Sequence, residues 1–322
     1  MKKFTLLSVL LGTLSLVLSG CGLDDQSKTN FTPEGHWIGS LDNFFAENEL
    51  EALQSFYVPG NAKGTLVSRE GTRITFTQGF VNANGSPING NVTVQLIEAY
   101  SKGDMVLMNK RTVARINGNL LLMLSGGHLL LRAYWAGTPV VPNPNGKIEV
   151  FMPVDNSGTT PTGVEQYYGS IDIDGQINWQ YPVGKTSNPI GTCFDSIANQ
   201  NGFCFELNSL TWTSVGKMSP APTSTADIEV QLPQGFNAGN TMVFVTWDNQ
   251  NSMKQATVVG NLATLKNVGV GQEVHIITVG ASDGRLHAES TGIVVQPGYR
   301  HIIKDLPPSS LAQFADEMKR LP

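Results

Sequence analysis

Charge is scarce in this sequence. Asp, Glu, Lys and Arg make up 15 % of its 322 residues, and no basic cluster occurs along it. Acids outnumber bases 26 to 21, so nothing here grips a phosphate backbone, which excludes nucleic acid as a partner. Cysteines number three and histidines five. His36, His128, His275, His287 and His301 form no His-Glu-x-x-His and no close pair at helical spacing, so no metal site is expected. His275 and His287 flank Ser282-Asp283-Gly284 and read as solvent-facing strand residues. No uninterrupted apolar run reaches the roughly 20 residues of a membrane-spanning helix.

The patterns of common enzymes are missing too. A phosphate-cradling loop ending in Gly184-Lys185-Thr186 needs a glycine at position 179, and Trp179 stands there. A calcium loop begun at Ser170 would close on Tyr181, where a bidentate Glu is required. Asp172 and Gly175 therefore read as hairpin-turn residues. Ser125-Gly126-Gly127-His128 does not fit the Gly-x-Ser-x-Gly of a nucleophile turn, and the sparse acids suggest no glycosidase pair. The expectation is a protein without enzymatic activity and without a cofactor.

What is present begins with an address. Met1-Lys2-Lys3 precedes an uncharged apolar run from Phe4 to Leu18, followed by Ser19-Gly20-Cys21. A basic start, an apolar middle and small residues before a cut describe a signal peptide over residues 1–20. Leu18-Ser19-Gly20-Cys21 resembles the lipobox of bacterial lipoproteins, which implies lipid on the Cys21 thiol and a chain anchored to a membrane without spanning it. Loss of Lys2 and Lys3 takes the net charge from −5 to about −7. Asp24 and Asp25 follow at once and resemble the surface-export signal of Bacteroidota lipoproteins. The expected location is the outer membrane, at the cell surface, with the periplasmic face as the alternative. With Cys21 lipidated, Cys193 and Cys204 remain as a pair, expected to form a disulfide in an oxidising compartment.

The rest is rich in short alternating runs punctuated by Gly, Asn and Asp. Ile74 and Phe76, then Val92, Val94 and Leu96, alternate with polar neighbours. Turns are expected at Asn84-Gly85 and Asn117-Gly118, because both residue types tolerate positive φ. Ser125-Gly126-Gly127 separates the run Leu120–Leu124 from His128–Trp135. A second series starts at Ile228, Val230 and Leu232, continues through Val243, Val245 and Trp247, and turns again at Ser282-Asp283-Gly284. Two helices stand out. Leu41, Phe44, Phe45, Leu50 and Leu53 have helical spacing within Leu41–Phe56. Leu311, Phe314, Ala315 and Met318 share one face behind the capping candidates Ser309 and Ser310.

The fold expected is all-β, with two antiparallel β-sandwich domains and a short C-terminal helix. Its divisions are a lipid-anchored tether and N-terminal segment at 21–59, a first sandwich at 60–156 and a connecting region at 157–224. A second sandwich at 225–300 and an amphipathic helix within 301–322 complete it. The connecting region, which holds the cysteine pair and Trp212, could go with either neighbour. Of the five tryptophans, Trp247 shares the phase of Val243 and Val245 and belongs in a core. Trp179, near the end of a hairpin, is the best candidate for an exposed ligand-binding platform, against the plainer reading that aromatic residues fill sandwich cores.

Gly71-Thr72-Arg73-Ile74-Thr75-Phe76, Gly79 to Gly85, Gly90 to Tyr100, Gly103 to Asn109 and Leu124-Ser125-Gly126-Gly127 together resemble surface lipoproteins of Bacteroidota. The first domain of those proteins is similar to ZU5 or carboxypeptidase-regulatory-like (Ig-like) β-sandwiches. The resemblance continues through Leu210-Thr211-Trp212, Thr241–Val245 and Asn267–Val274, and so covers most of the chain beyond Cys21. Phe76-Thr77-Gln78-Gly79-Phe80 departs from the Ile-Pro-Pro step usual in ZU5-like sequences. Thr213-Ser214-Val215 replaces an Asn-Cys-Asp-like run, so no role attached to that cysteine carries over. The resemblance implies a fold and a location but no activity. The functional expectation is a non-catalytic binding or scaffolding lipoprotein, its partners being the membrane through Cys21 and either envelope proteins or glycans. The alternatives are a glycan-binding accessory of an outer-membrane uptake system and an unrecognised hydrolase.

Overall fold

Among the described residues the longest element is a seventeen-residue strand, Asn119–Trp135, and from Met123 to Leu131 both of its faces are covered. Leu129, Leu131 and Ala133 enter one core, while Leu130 enters a second and Met123 a third. Burial on two sides explains why the middle of this strand shows no alternation of apolar and polar residues. The computed structural model describes residues 37–154, 162–172, 175–197 and 199–322. Ser125-Gly126-Gly127 does not divide two strands as expected. The strand runs through it, with a bulge where the pairing to Trp212–Met218 shifts between Val215 and Gly216. Glycine is required there: Gly127 has φ +131°, and a Cβ on Gly126 would lie 2.8 Å from the Phe203 ring.

Around this strand the first sheet runs in the order Gln54–Pro59, Asn91–Ala99, Asn119–Trp135, Trp212–Met218, Glu165–Ile171, Ile177–Gln180 and Val113–Ile116. The last of these pairs back onto Asn119–Leu122, so five strands close into a small ring filled by Ala114, Met123, Tyr167, Ile177 and Trp179. The facing sheet is Gly191–Asp195, Gln200–Leu207, Ile148–Pro153, Arg73–Phe76 and Gly64–Val67. Val92, Val94 and Leu96 from one sheet meet Ile74, Phe76, Val150 and Phe203 from the other. The segment expected as a connecting region therefore supplies five strands to these two sheets. The disulfide Cys193–Cys204 joins the outermost two strands of the facing sheet, with Cα atoms 5.9 Å apart.

Two four-stranded sheets form a second layered pair. Thr257–Val259, Leu262–Gly269, Thr225–Gln231 and Arg300–Ile302 form one layer, and Met253–Gln255, Thr241–Trp247, Glu273–Ser282 and Arg285–Val294 the other. Trp247 is buried in the core between them, as its phase predicts, and its Nε1 donates to Gln272 Oε1 at 2.8 Å. Asn117, Gly118, Asp283 and Gly284 all adopt positive φ at the expected turns.

Among the described residues, three helices fill the space between the sandwiches. Helix α1 (Leu41–Ala52) starts at the cap Ser40, α2 (Lys102–Leu107) at Ser101 and α3 (Leu311–Lys319) at Ser310, the latter two with full capping boxes. Helix α1 stops short of the expected Phe56 because Gln54–Pro59 pairs as an edge strand with Asn91–Leu96. Phe44, Phe45, Met105, Val106 and Phe314 pack against Ile97, Ala99 and Leu130 of the first sheet and against Phe244, Ile277 and Leu286 of the second sandwich.

Polar contacts then lock the two bodies. The loop after Thr241–Trp247 enters the first sandwich, where the Lys102 ammonium donates to the carbonyls of Trp247, Asp248 and Gln250. Asn251 Nδ2 donates to Tyr100 O at 2.7 Å and Ser125 O at 3.0 Å. Ser252 Oγ donates to Met123 O, and Thr112 and Met253 exchange backbone and hydroxyl hydrogen bonds. Asn251→Ala would remove the amide that donates to both the Tyr100 and Ser125 carbonyls, at a cost of about 1–3 kcal/mol. The expected result is a lower urea midpoint for a single transition; separate transitions for the two sandwiches would show a deeper role for this loop.

Candidate functional site

Three of the residues singled out by sequence, Cys21, Asp24 and Asp25, lie outside the described residues. Cys193 and Cys204 are brought together as the disulfide. Trp179 is where the reading needs correction. It is 0 % exposed, sealed inside the strand ring, with Nε1 donating to Arg111 O at 2.7 Å and its ring stacked on His128 at 4.3 Å. A parallel bridge from Trp179 to Ala114 closes the ring, and Trp179 lies in the core within it, so it presents no surface to a ligand. The exposed tryptophans are Trp37 and Trp135, at 69 % and 40 %.

The stack under Trp179 has the residue types of a catalytic pair. His128 Nδ1 lies 2.8 Å from Ser214 Oγ. Both residues are fully buried, and burial, helped by the Lys110 charge, pushes the imidazole down to about 3. Neutral, enclosed and out of reach of any substrate, the pair belongs to the packing of the sheet. His275 and His287 stand opposite Gly292 and Gly280, not each other. His275 Nδ1 is 2.8 Å from Asp248 Oδ1, and His287 Nδ1 is 2.8 Å from Leu306 O. No group of three metal-ligating side chains is found among the described residues.

Two clefts remain as candidates. The first, about 540 Å³, opens between α1, α2 and α3 over Glu98 and Tyr100. Desolvation raises the Glu98 carboxyl above its ordinary value, more than hydrogen bonds from Thr72, Gln54 and Ser68 lower it. A buried acid in a cleft is the signature of a functional group. The geometry here assigns it elsewhere. Gln54 Nε2 donates to one carboxyl oxygen at 2.8 Å and Ser68 Oγ to the other at 2.9 Å. Ser68 Oγ in turn accepts from Thr72 N, and Gln54 Oε1 accepts from Arg69 N. Both oxygens are used in pinning the Ser68–Thr72 turn to the first sheet.

The second cleft, about 720 Å³, lies at the far end of Asn119–Trp135. Arg132 and Tyr134 project from one face of that strand, which alternation puts two residues apart. Residues 139–146 form one wall, with Pro139, Pro142 and Pro144, and residues 207–210 form the other. Buried Val140, Ile148 and Leu207 make the base. Its lining contains no carboxylate, histidine or cysteine. Sequence reasoning passed over Arg132, although it is the sole Lys, Arg, Asp or Glu in Asn119–Trp135, and an isolated charge in an apolar strand is a usable signal. The walls had no signal, because they come from segments far apart in the chain. No family model matches the sequence, and no curated protein does either.

Ionisation of Glu98 has a definite sign. Its folded value is raised, so the fold holds that proton more tightly than the unfolded chain does. The linked stability is fully present below the ordinary value of 4.5 and is lost as pH rises through the folded value. Glu98→Gln removes this dependence. Urea midpoints of variant and native protein should therefore shift in the variant's favour between pH 4.5 and 7, whereas a constant offset would mean that the carboxyl ionises without cost.

Proposed function

We propose that this chain is a lipoprotein of the outer membrane, held by lipid on Cys21 and displayed at the cell surface, that works by binding or scaffolding and not by catalysis. Leu18-Ser19-Gly20-Cys21 with Asp24-Asp25 behind it supports the address. The binding role is carried by the cleft over Arg132 and Tyr134. Strands supply Arg132, Tyr134, Ile148 and Leu207, loops supply Asn143, Pro144 and Asn208 to Leu210, and the lining offers apolar surface with a few polar groups, the usual make-up of a ligand site. It lacks the acid, base and nucleophile pairs that bond cleavage uses. Fold alone assigns none of this.

Membrane fractionation of the native chain and of Cys21→Ala tests the address. The native chain is expected in the membrane fraction after a salt wash, and the variant in the soluble fraction. A variant that stays membrane-bound would overturn the lipid anchor. Protease treatment of intact cells completes the experiment: cleavage of this chain beside an intact periplasmic control supports surface display, and protection places it on the periplasmic face.

A further inference from the structure

We infer that the cleft over Arg132 and Tyr134 takes an acidic oligosaccharide, one whose sugars carry carboxylates. This rests on the binding reading above and gives it a ligand class. Charge is the first argument. In a chain whose acids exceed its bases, this lining holds a single charged group, Arg132, and no acid. Arg132 is exposed, and its guanidinium makes no hydrogen bond or ion pair with another described residue. A guanidinium left unpaired at the mouth of an acid-free cleft presents a planar fork of donors to a carboxylate.

The remaining lining suits a sugar better than a peptide. Tyr134, Leu210 and the proline rings offer apolar faces, and Asn143, Asn208 and Ser209 sit among them. Amides and a hydroxyl both donate and accept, as sugar hydroxyls require of a partner. A peptide strand adding to the edge here would need backbone N–H groups in register, and Pro139, Pro142 and Pro144 have none to give. Asn208 also lines a neighbouring hollow of about 260 Å³ that carries Lys185, Asn188 and Glu206, and the Glu206 carboxylate is paired with Lys147.

Calorimetric titration of the full chain in detergent tests this. The probes are oligomers of galacturonate, guluronate and mannuronate, hyaluronan fragments, methyl-esterified oligogalacturonate and poly-glutamate. At least one uronate should bind, with affinity falling as salt is raised. Esterification or Arg132→Gln should weaken it about tenfold or more, and Tyr134→Ala should weaken it without changing the salt response. Arg132 is exposed, so its variant should keep the native circular dichroism. Silence from every uronate, equal binding of the ester, or binding of poly-glutamate alone would each overturn the ligand class. The anchored lipoprotein reading fails separately, on the fractionation.

Discussion

The structure depends on one cation in an unusual place. Lys102 opens α2 and is buried, and its three ammonium protons meet three backbone carbonyls, of Trp247, Asp248 and Gln250. Burial draws the ammonium down to about 8, against the pull of the Asp248 carboxylate. A loop of the second sandwich is thereby held inside the first, and Asn251, Ser252 and Met253 extend the seam. Two sandwiches joined by a linker alone would move against each other by default. Here the seam of directional hydrogen bonds lies next to the helical core of Phe44, Phe45, Met105 and Phe314, so apolar area and polar geometry fix the same arrangement.

That rigidity bears on how the two clefts differ. The one over Glu98 sits where α1, α2 and α3 meet the first sheet, and its polar groups are consumed in holding that junction. The one over Arg132 lies at the opposite end of the long strand, away from the seam, and although Asn143 Oδ1 there accepts from Asn145 N, the Arg132 guanidinium is not so consumed. Satisfied polar networks serve packing, while unpaired groups on a fixed scaffold are available to partners. The same contrast separates His128, neutral and sealed, from Arg132, charged and open.

Much of the fold was legible in the sequence. Alternation at Ile228–Trp247 and the turns at Asn117-Gly118 and Ser282-Asp283-Gly284 are local signals, and each is expressed locally. The all-β class and α3 with its Ser310 cap follow from the same kind of pattern. What was hidden depends on distance along the chain. Nothing near Trp179 announces that its strand will run parallel to Val113–Ile116 and close a ring. Nothing near Gly126 says that the extra residue is absorbed as a bulge. Helix α2 is only six residues long, too short to show a period, and it exists because Ser101 and Asp104 cap it and both sandwiches cover it. The candidate site was legible in one residue, Arg132, and illegible in its walls.

The bond between Cys193 and Cys204 has a practical consequence. It closes the short span that holds Ile197, which is 82 % exposed at the tip of the outermost hairpin, the kind of place proteases cut. A nick there severs the polypeptide yet leaves both pieces covalently joined and still paired strand to strand. The clipped molecule would migrate as a single intact species until thiols are added, and only then part into two fragments, so the history of cleavage is concealed in any non-reducing gel.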